Sequence, residues 1–172
     1  MSARAPIRWL LGGLALSAPA AAALGLYAQQ ARYRPPIQVL GPVATVTEAV
    51  SGVDFAARVD TGAAVTSLHC GPGDFLIDGA DADPTLNVSK PARLRVHNCR
   101  GESVWIDTRV TDYVEVRSAN GAEHRYRIRL PLRCRGVQRW AIVNLKDRSR
   151  MTYRLLLGRD FLAGRFLVDV SR

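Results

Sequence analysis

Apolar residues in this chain recur at every second position, in short runs broken by glycine, proline and aspartate, and that period selects strands over long helices. The alternation is explicit in Ala92-Arg93-Leu94-Arg95-Val96-His97, in the stretch from Val104 to Val110, and in Tyr126-Arg127-Ile128-Arg129-Leu130. Each run sets apolar side chains on one face and polar ones on the other, as a half-buried strand requires. Ile37-Gln38-Val39-Leu40 and Val43-Ala44-Thr45-Val46, on either side of Gly41-Pro42, read as two more short strands. Asn120-Gly121 separates Val114-Glu115-Val116 from the Tyr126 run and predicts a hairpin, because both turn residues tolerate positive φ. Gly71 to Pro91, rich in Asp, Gly and Pro, reads as a long irregular loop. The short helix expected after the N-terminal region lies around Arg159 to Ala163, between Gly158 and Gly164. Together these patterns predict a mostly β fold, a closed or nearly closed small barrel.

The first stretch follows different rules. Met1 to Arg34 has no acidic residue; Arg4 and Arg8 precede an uncharged run from Trp9 to Ala28, long enough to cross a bilayer as an N-terminal hydrophobic helix. Ala18-Pro19-Ala20 offers a small-residue cleavage site, so a signal peptide and an uncleaved membrane anchor both fit. Either sends the remainder to the cell envelope on the periplasmic side, anchored in the inner membrane or released. Arg34-Pro35-Pro36 is a stiff linker, which divides the chain into a targeting segment over 1–36 and one folded domain over 37–172.

Charge narrows the partners. The net charge of +9 falls to +5 once the four arginines of the first segment are set aside. The remaining arginines are scattered along alternating strands with no interleaved aromatic block, which argues against nucleic acid and suits an anionic surface or an acidic substrate. Cys70, Cys99 and Cys134 are too few for a disulfide scaffold, and their odd number leaves at least one unpaired within the chain.

The chemistry concentrates in Arg58-Val59-Asp60-Thr61-Gly62-Ala63, where a strand runs into a turn. Gly62 permits a sharp bend that brings its N–H to the Asp60 carboxylate, the Thr61 hydroxyl is placed to lock the loop by bonding inward, and Ala63 leaves room for a substrate backbone. Acid/base hydrolysis at such a site needs two carboxylates sharing a proton. The chain holds one such loop. Asp107-Thr108-Arg109 puts arginine where the glycine should be, and Asp54, Asp112 and Asp160 lack the following Thr-Gly, so the second carboxylate is expected from a homodimer.

Asp60-Thr61-Gly62-Ala63 followed by Leu157-Gly158-Arg159-Asp160 resembles the retropepsins, single-lobe aspartic peptidases that work as homodimers. More closely, the blocks Ala57 to His69, Leu145 to Tyr153, Leu157 to Leu162 and Val168-Asp169-Val170 resemble a bacterial family historically labelled ATP-dependent zinc proteases, now described as retropepsin-like and linked with ATP-grasp peptide ligases. The resemblance implies a single-lobe retropepsin-like barrel, an aspartic endopeptidase activity on peptide or protein substrates, Asp60 as the acid/base, Thr61, Gly62 and Ala63 as its loop, and Gly158, Arg159 and Asp160 as a structural brace. Retroviral members place acidic residues after the alanine; Ala64 and Val65 stand there instead, which removes a carboxylate partner for Arg159.

The older label is not supported by the residues. There is no H-E-x-x-H, no paired C-x-x-C and no Gly-rich Lys-Ser/Thr loop, so neither a metal nor any other cofactor is expected, and His69 reads as a packed loop histidine orienting the region beside Asp60. Two readings compete with the peptidase: a catalytically silent domain of the same fold binding peptides or a partner at the envelope, and an anchored domain binding envelope polymers through its arginines.

Overall fold

The computed structural model describes residues 36–118 and 121–172. The strands are β1 (Gln38–Leu40), β2 (Val43–Glu48), β3 (Asp54–Val59), β4 (Thr66–His69), β5 (Phe75–Ile77), β6 (Pro91–His97), β7 (Ser103–Ser118), β8 (Gly121–Cys134), β9 (Val137–Lys146), β10 (Leu155–Leu157) and β11 (Phe166–Val168), with one four-residue helix, α1 (Arg159–Leu162). Among the described residues no helix is long and apolar enough to cross a membrane. The targeting segment expected over 1–36 lies outside the described residues, Pro36 excepted.

Six strands close on themselves. The order β2-β3-β10-β4-β9-β8 returns to β2 through the pairs Thr47↔Arg133 and Glu48↔Leu132, so the sheet is a barrel with no free edge around its ring. Alternation explains the closure: β2 and β3 turn Ala44, Val46, Phe55, Ala57 and Val59 inward. There they pack with Leu68, Ile128, Leu130, Val143, Leu155 and Leu157 in one core. β4 is buried along its whole length and so does not alternate. The mostly β barrel expected from the sequence is the observed fold.

Outside the ring, β7 is one long strand rather than two. Its first half pairs with β6 and its second with β8, the register shifting between Val110 and Asp112. Beyond that bulge β7 continues the sheet with β5 and β6, whose Leu94 and Val96, with Ile106 of β7, pack into the same core. The stretch from Gly71 to Pro91 is therefore not wholly irregular: it contains β5, paired to β6, and a 3₁₀ turn over Pro84–Asn87 capped by Asp83. The β7–β8 hairpin forms with Ser118 opposite Gly121, whose φ is 109°, while Asn120 lies outside the described residues. All three cysteines are free.

Candidate active site

β3 and β10 run parallel and end side by side, Val59 opposite Leu157. Each then leaves the barrel in a turn, and the two turns are laced together. Asp60 N–H donates to Leu157 O (3.0 Å), Arg159 N–H to Ala63 O (2.9 Å) and Asp160 N–H to Ala64 O (3.2 Å). Thr66 ties the other side: its N–H and hydroxyl both donate to Asp160 Oδ1 (2.9 and 2.8 Å), and its Oγ1 accepts from Gly158 N–H (3.1 Å). Gly158 is required by space, not by backbone angle. A Cβ there would stand 2.6 Å from Val65 C and 2.8 Å from Thr66 N.

Within this frame Asp60 Oδ1 accepts the N–H of Gly62 (2.9 Å) and of Ala63 (3.2 Å). Oδ2 has no hydrogen-bond partner among the described residues. One of the sequence expectations needs correction. Thr61 is exposed and contributes its carbonyl rather than its hydroxyl to the loop. Arg159, with no carboxylate at Ala64 or Val65 to meet it, donates through Nη1 to Thr61 O (3.0 Å) and Gly62 O (2.8 Å). A guanidinium needs acceptors rather than a carboxylate as such, and the tight turn aims two carbonyls at it.

Asp60 lines a cleft of about 610 Å³ together with Ala64, Val65 and Ser67 from its own loop and strand. Val116, Arg117 and Arg125 of the β7–β8 hairpin line it too, so the hairpin forms part of the cleft that holds Asp60. Asn144, Lys146, Arg148 and Met151 complete the wall. The cleft thus gathers four cations from segments far apart in sequence. Arg117 pairs with Glu115 (2.6 Å), and Arg125 and Lys146 share the Glu123 carboxylate, Lys146 at 2.7 Å. Arg148 is 6% exposed and has no carboxylate partner among the described residues; its guanidinium makes one hydrogen bond, from Nε to Tyr153 O (2.9 Å). Sequence reading missed all four cations as cleft residues.

Beside the cleft, the ligand atoms of His69, Asp74 and His97 lie within 4.8 Å of one another. The sequence reading found no ligand set; the fold converges three candidate atoms from β4, the 70–74 turn and β6. They do not make a suitable cation site, since two guanidiniums already stand there. Arg95 holds Asp74 Oδ1 through Nε (2.7 Å) and Nη2 (2.5 Å), and Arg154 Nη1 stands 2.8 Å from His69 Nε2. Burial pushes the Asp74 carboxyl up, but hydrogen bonds from Gly71, Arg95 and His97 outweigh it and hold it below the ordinary range. His69 is pulled down to about 4, first by burial and then by the charge of Arg154. It is neutral at pH 7, and its 3.6 Å approach to Asp147 is not an ion pair there. Burial lifts the Cys70 thiol to about 12, which removes it as a thiolate ligand or nucleophile.

Residues 44–172 match the model of the RimB-like family, described as retropepsin-like aspartic endopeptidase RimB. The chain belongs to that family. Two curated relatives are each named probable alpha-L-glutamate ligase. The one from Parasynechococcus marenigrum is 37% identical over 118 residues, which is 66% of this chain and 23% of the relative. The one from Shewanella pealeana is 31% identical over 121 residues, 67% of this chain and 24% of the relative. The chain thus spans about a quarter of the length of these ligases. A Legionella pneumophila protein of unknown function shares the fold, with a TM-score of 0.61 and 24% identity over 78% of this chain and 95% of that one.

Proposed function

We propose that this chain is an aspartic endopeptidase that hydrolyses peptide bonds with a water held between Asp60 and the Asp60 of a second copy. The observation that carries the reading is the geometry of the carboxylate. Oδ1 is tied to the Gly62 and Ala63 amides, which leaves Oδ2 for chemistry at the cleft. The other Asp-Thr pair cannot supply the partner, because Asp107 lies within β7, 92% exposed and 3.6 Å from Arg93. Two such loops facing each other share one proton between their carboxyls. The ionised carboxylate takes a proton from water as its oxygen attacks the carbonyl carbon, the protonated carboxyl gives its proton to the carbonyl oxygen, and the diol collapses with protonation and loss of the amine.

Apolar material for the interface is present. β1 and β11 form a separate two-stranded parallel sheet, with Ile37, Leu167 and Val170 exposed on and beside it. The cations around Asp60 favour an acidic peptide as substrate, and the ligase names of the relatives point toward glutamate-rich peptides. The 1–36 segment would hold the domain to the periplasmic face of the inner membrane if uncleaved, or release it into the periplasm if cleaved.

Digestion of a peptide library that includes glutamate-rich sequences, by the full chain and by Asp60→Asn, tests the reading. The variant keeps the size of the side chain and loses the shared proton, so cleavage should fall by about a thousandfold or more, to the background of the assay. Turnover retained by Asp60→Asn would sink the mechanism. If neither form cleaves and both bind the same peptide, the domain is a binding module.

A further inference from the structure

Of the four cations in the Asp60 cleft, Arg148 stands apart. Arg117 pairs with Glu115, and Arg125 and Lys146 share Glu123. Arg148 is more deeply buried than an arginine normally is, faces the same cleft, and has no carboxylate of its own among the described residues. Burial and the neighbouring Arg125 and Arg58 charges pull its pKa down, with Asp60 opposing them. Nη1 and Nη2 of this guanidinium have no hydrogen-bond partner among the described residues, and a buried cation that no carboxylate pairs with directly is a site whose ligand brings the charge.

The segment that carries Arg148 is held in place by His69. Three contacts join them: His69 N–H donates to Arg154 O (2.7 Å), Arg148 N–H donates to His69 Nδ1 (2.8 Å), and Arg154 Nη1 faces His69 Nε2 (2.8 Å). Both ring nitrogens face donors, so a neutral ring satisfies one of them and a protonated ring satisfies neither. His69 is itself 4% exposed and packed edge-on against His97, ring centroids 4.7 Å apart. The ring is therefore fixed before the segment meets it.

Resting on the endopeptidase reading above, we infer that Arg148 is the specificity-determining residue of the cleft, binding a carboxylate of an acidic peptide substrate close to Asp60, and that His69 is its positioning residue. Planar two-pronged recognition of a carboxylate requires the guanidinium to arrive in one orientation. The Tyr153 carbonyl on Nε and the His69 ring on the backbone N–H supply that orientation. Glutamine in place of glutamate in the substrate would leave the cation buried and unpaired, which is the basis of the discrimination.

The test reads binding apart from turnover. A fluorescein-labelled hexaglutamate peptide and its hexaglutamine counterpart are titrated against the full chain carrying Asp60→Asn, alone and combined with Arg148→Met, His69→Leu or His69→Asn, and followed by anisotropy, with thermal melts confirming that each variant is folded. Arg148→Met should reduce the preference for the glutamate peptide about tenfold or more. His69→Leu, which removes the ring acceptor, should do the same, whereas His69→Asn, which restores an acceptor near Nδ1, should keep most of the preference. A preference unchanged in folded Arg148→Met overturns the inference, as does loss of affinity for both peptides alike. If His69→Asn falls as far as His69→Leu, His69 is structural and not positioning. Cleavage by the chain with Asp60 intact is measured separately: its absence would fail the endopeptidase reading while the binding preference still decides the role of Arg148.

Discussion

At the scale of single residues, the site is built by carboxylates and amides whose partners are fixed by the backbone. Asp60 Oδ1 is held by two N–H groups and Asp160 Oδ1 by Thr66, so one loop presents a carboxylate to the cleft and the other is a tether. His69 has a measurable consequence of its own. Around it stand Arg148 and Arg154 from the 147–154 segment, Asp147 at 3.6 Å, Asp74 from the preceding turn and His97 from β6. The folded-state value of about 4 lies below the ordinary 6.5, so between those limits the unfolded chain binds the extra proton and stability rises with pH. The full contribution is present above pH 6.5 and is lost as pH falls through about 4, on the order of 3 kcal/mol. Asp74, held below its usual value, adds a further loss at still lower pH. Melting of the chain between pH 4 and 7 should show this slope, and His69→Asn should flatten it. A variant with the same slope as the natural chain would show that His69 is not the group responsible.

At the scale of elements, the decisive feature is the lacing of the turn after β3 to the turn after β10. Gly158 is the tightest point. Its missing side chain lets Val65 and Thr66 pass, and a Cβ at 2.6 Å from the Val65 carbonyl carbon must move backbone, not a side-chain tip. Gly158→Ala should therefore cost about 1–3 kcal/mol and disturb the Asp60 loop at the same time. Denaturant midpoint and peptide cleavage should fall together; an unchanged midpoint would mean that the turn is looser than its contacts imply. Much of this level is legible in the sequence, because strand period and turn chemistry are local. The Ala92–His97 alternation, the Asp60-Thr61-Gly62 turn and the short helix after Gly158 could be read directly. β5 could not, since Phe75–Ile77 is three residues long and is a strand only because β6 lies beside it. The same holds for β7, where a bulge at Val110 to Asp112 joins what alternation separates into two strands.

At the scale of the whole molecule, the barrel brings distant segments to one cleft. Arg117 and Arg125 come from the hairpin, Lys146 from the end of β9, and Arg148 from the loop beyond it. No local pattern marks Lys146-Asp147-Arg148-Ser149-Arg150 as a cleft wall. The one available hint was the density of basic residues from Lys146 to Arg154, ahead of the strand that ends beside Asp60. The proposed pairing of two copies would likewise belong to the whole molecule and not to any element. The central claim is that Asp60 acts only in company with another Asp60, and mixing of subunits tests it most directly. Differently tagged natural and Asp60→Asn chains are denatured together in equal amounts, refolded, and assayed on the peptide that the natural chain cleaves. If both carboxyls are needed, only dimers with two natural chains cleave, and the mixture retains about a quarter of the activity of the same total amount of natural chain. Retention of about half, falling in proportion to the natural fraction, would mean that each chain works alone and would contradict the account.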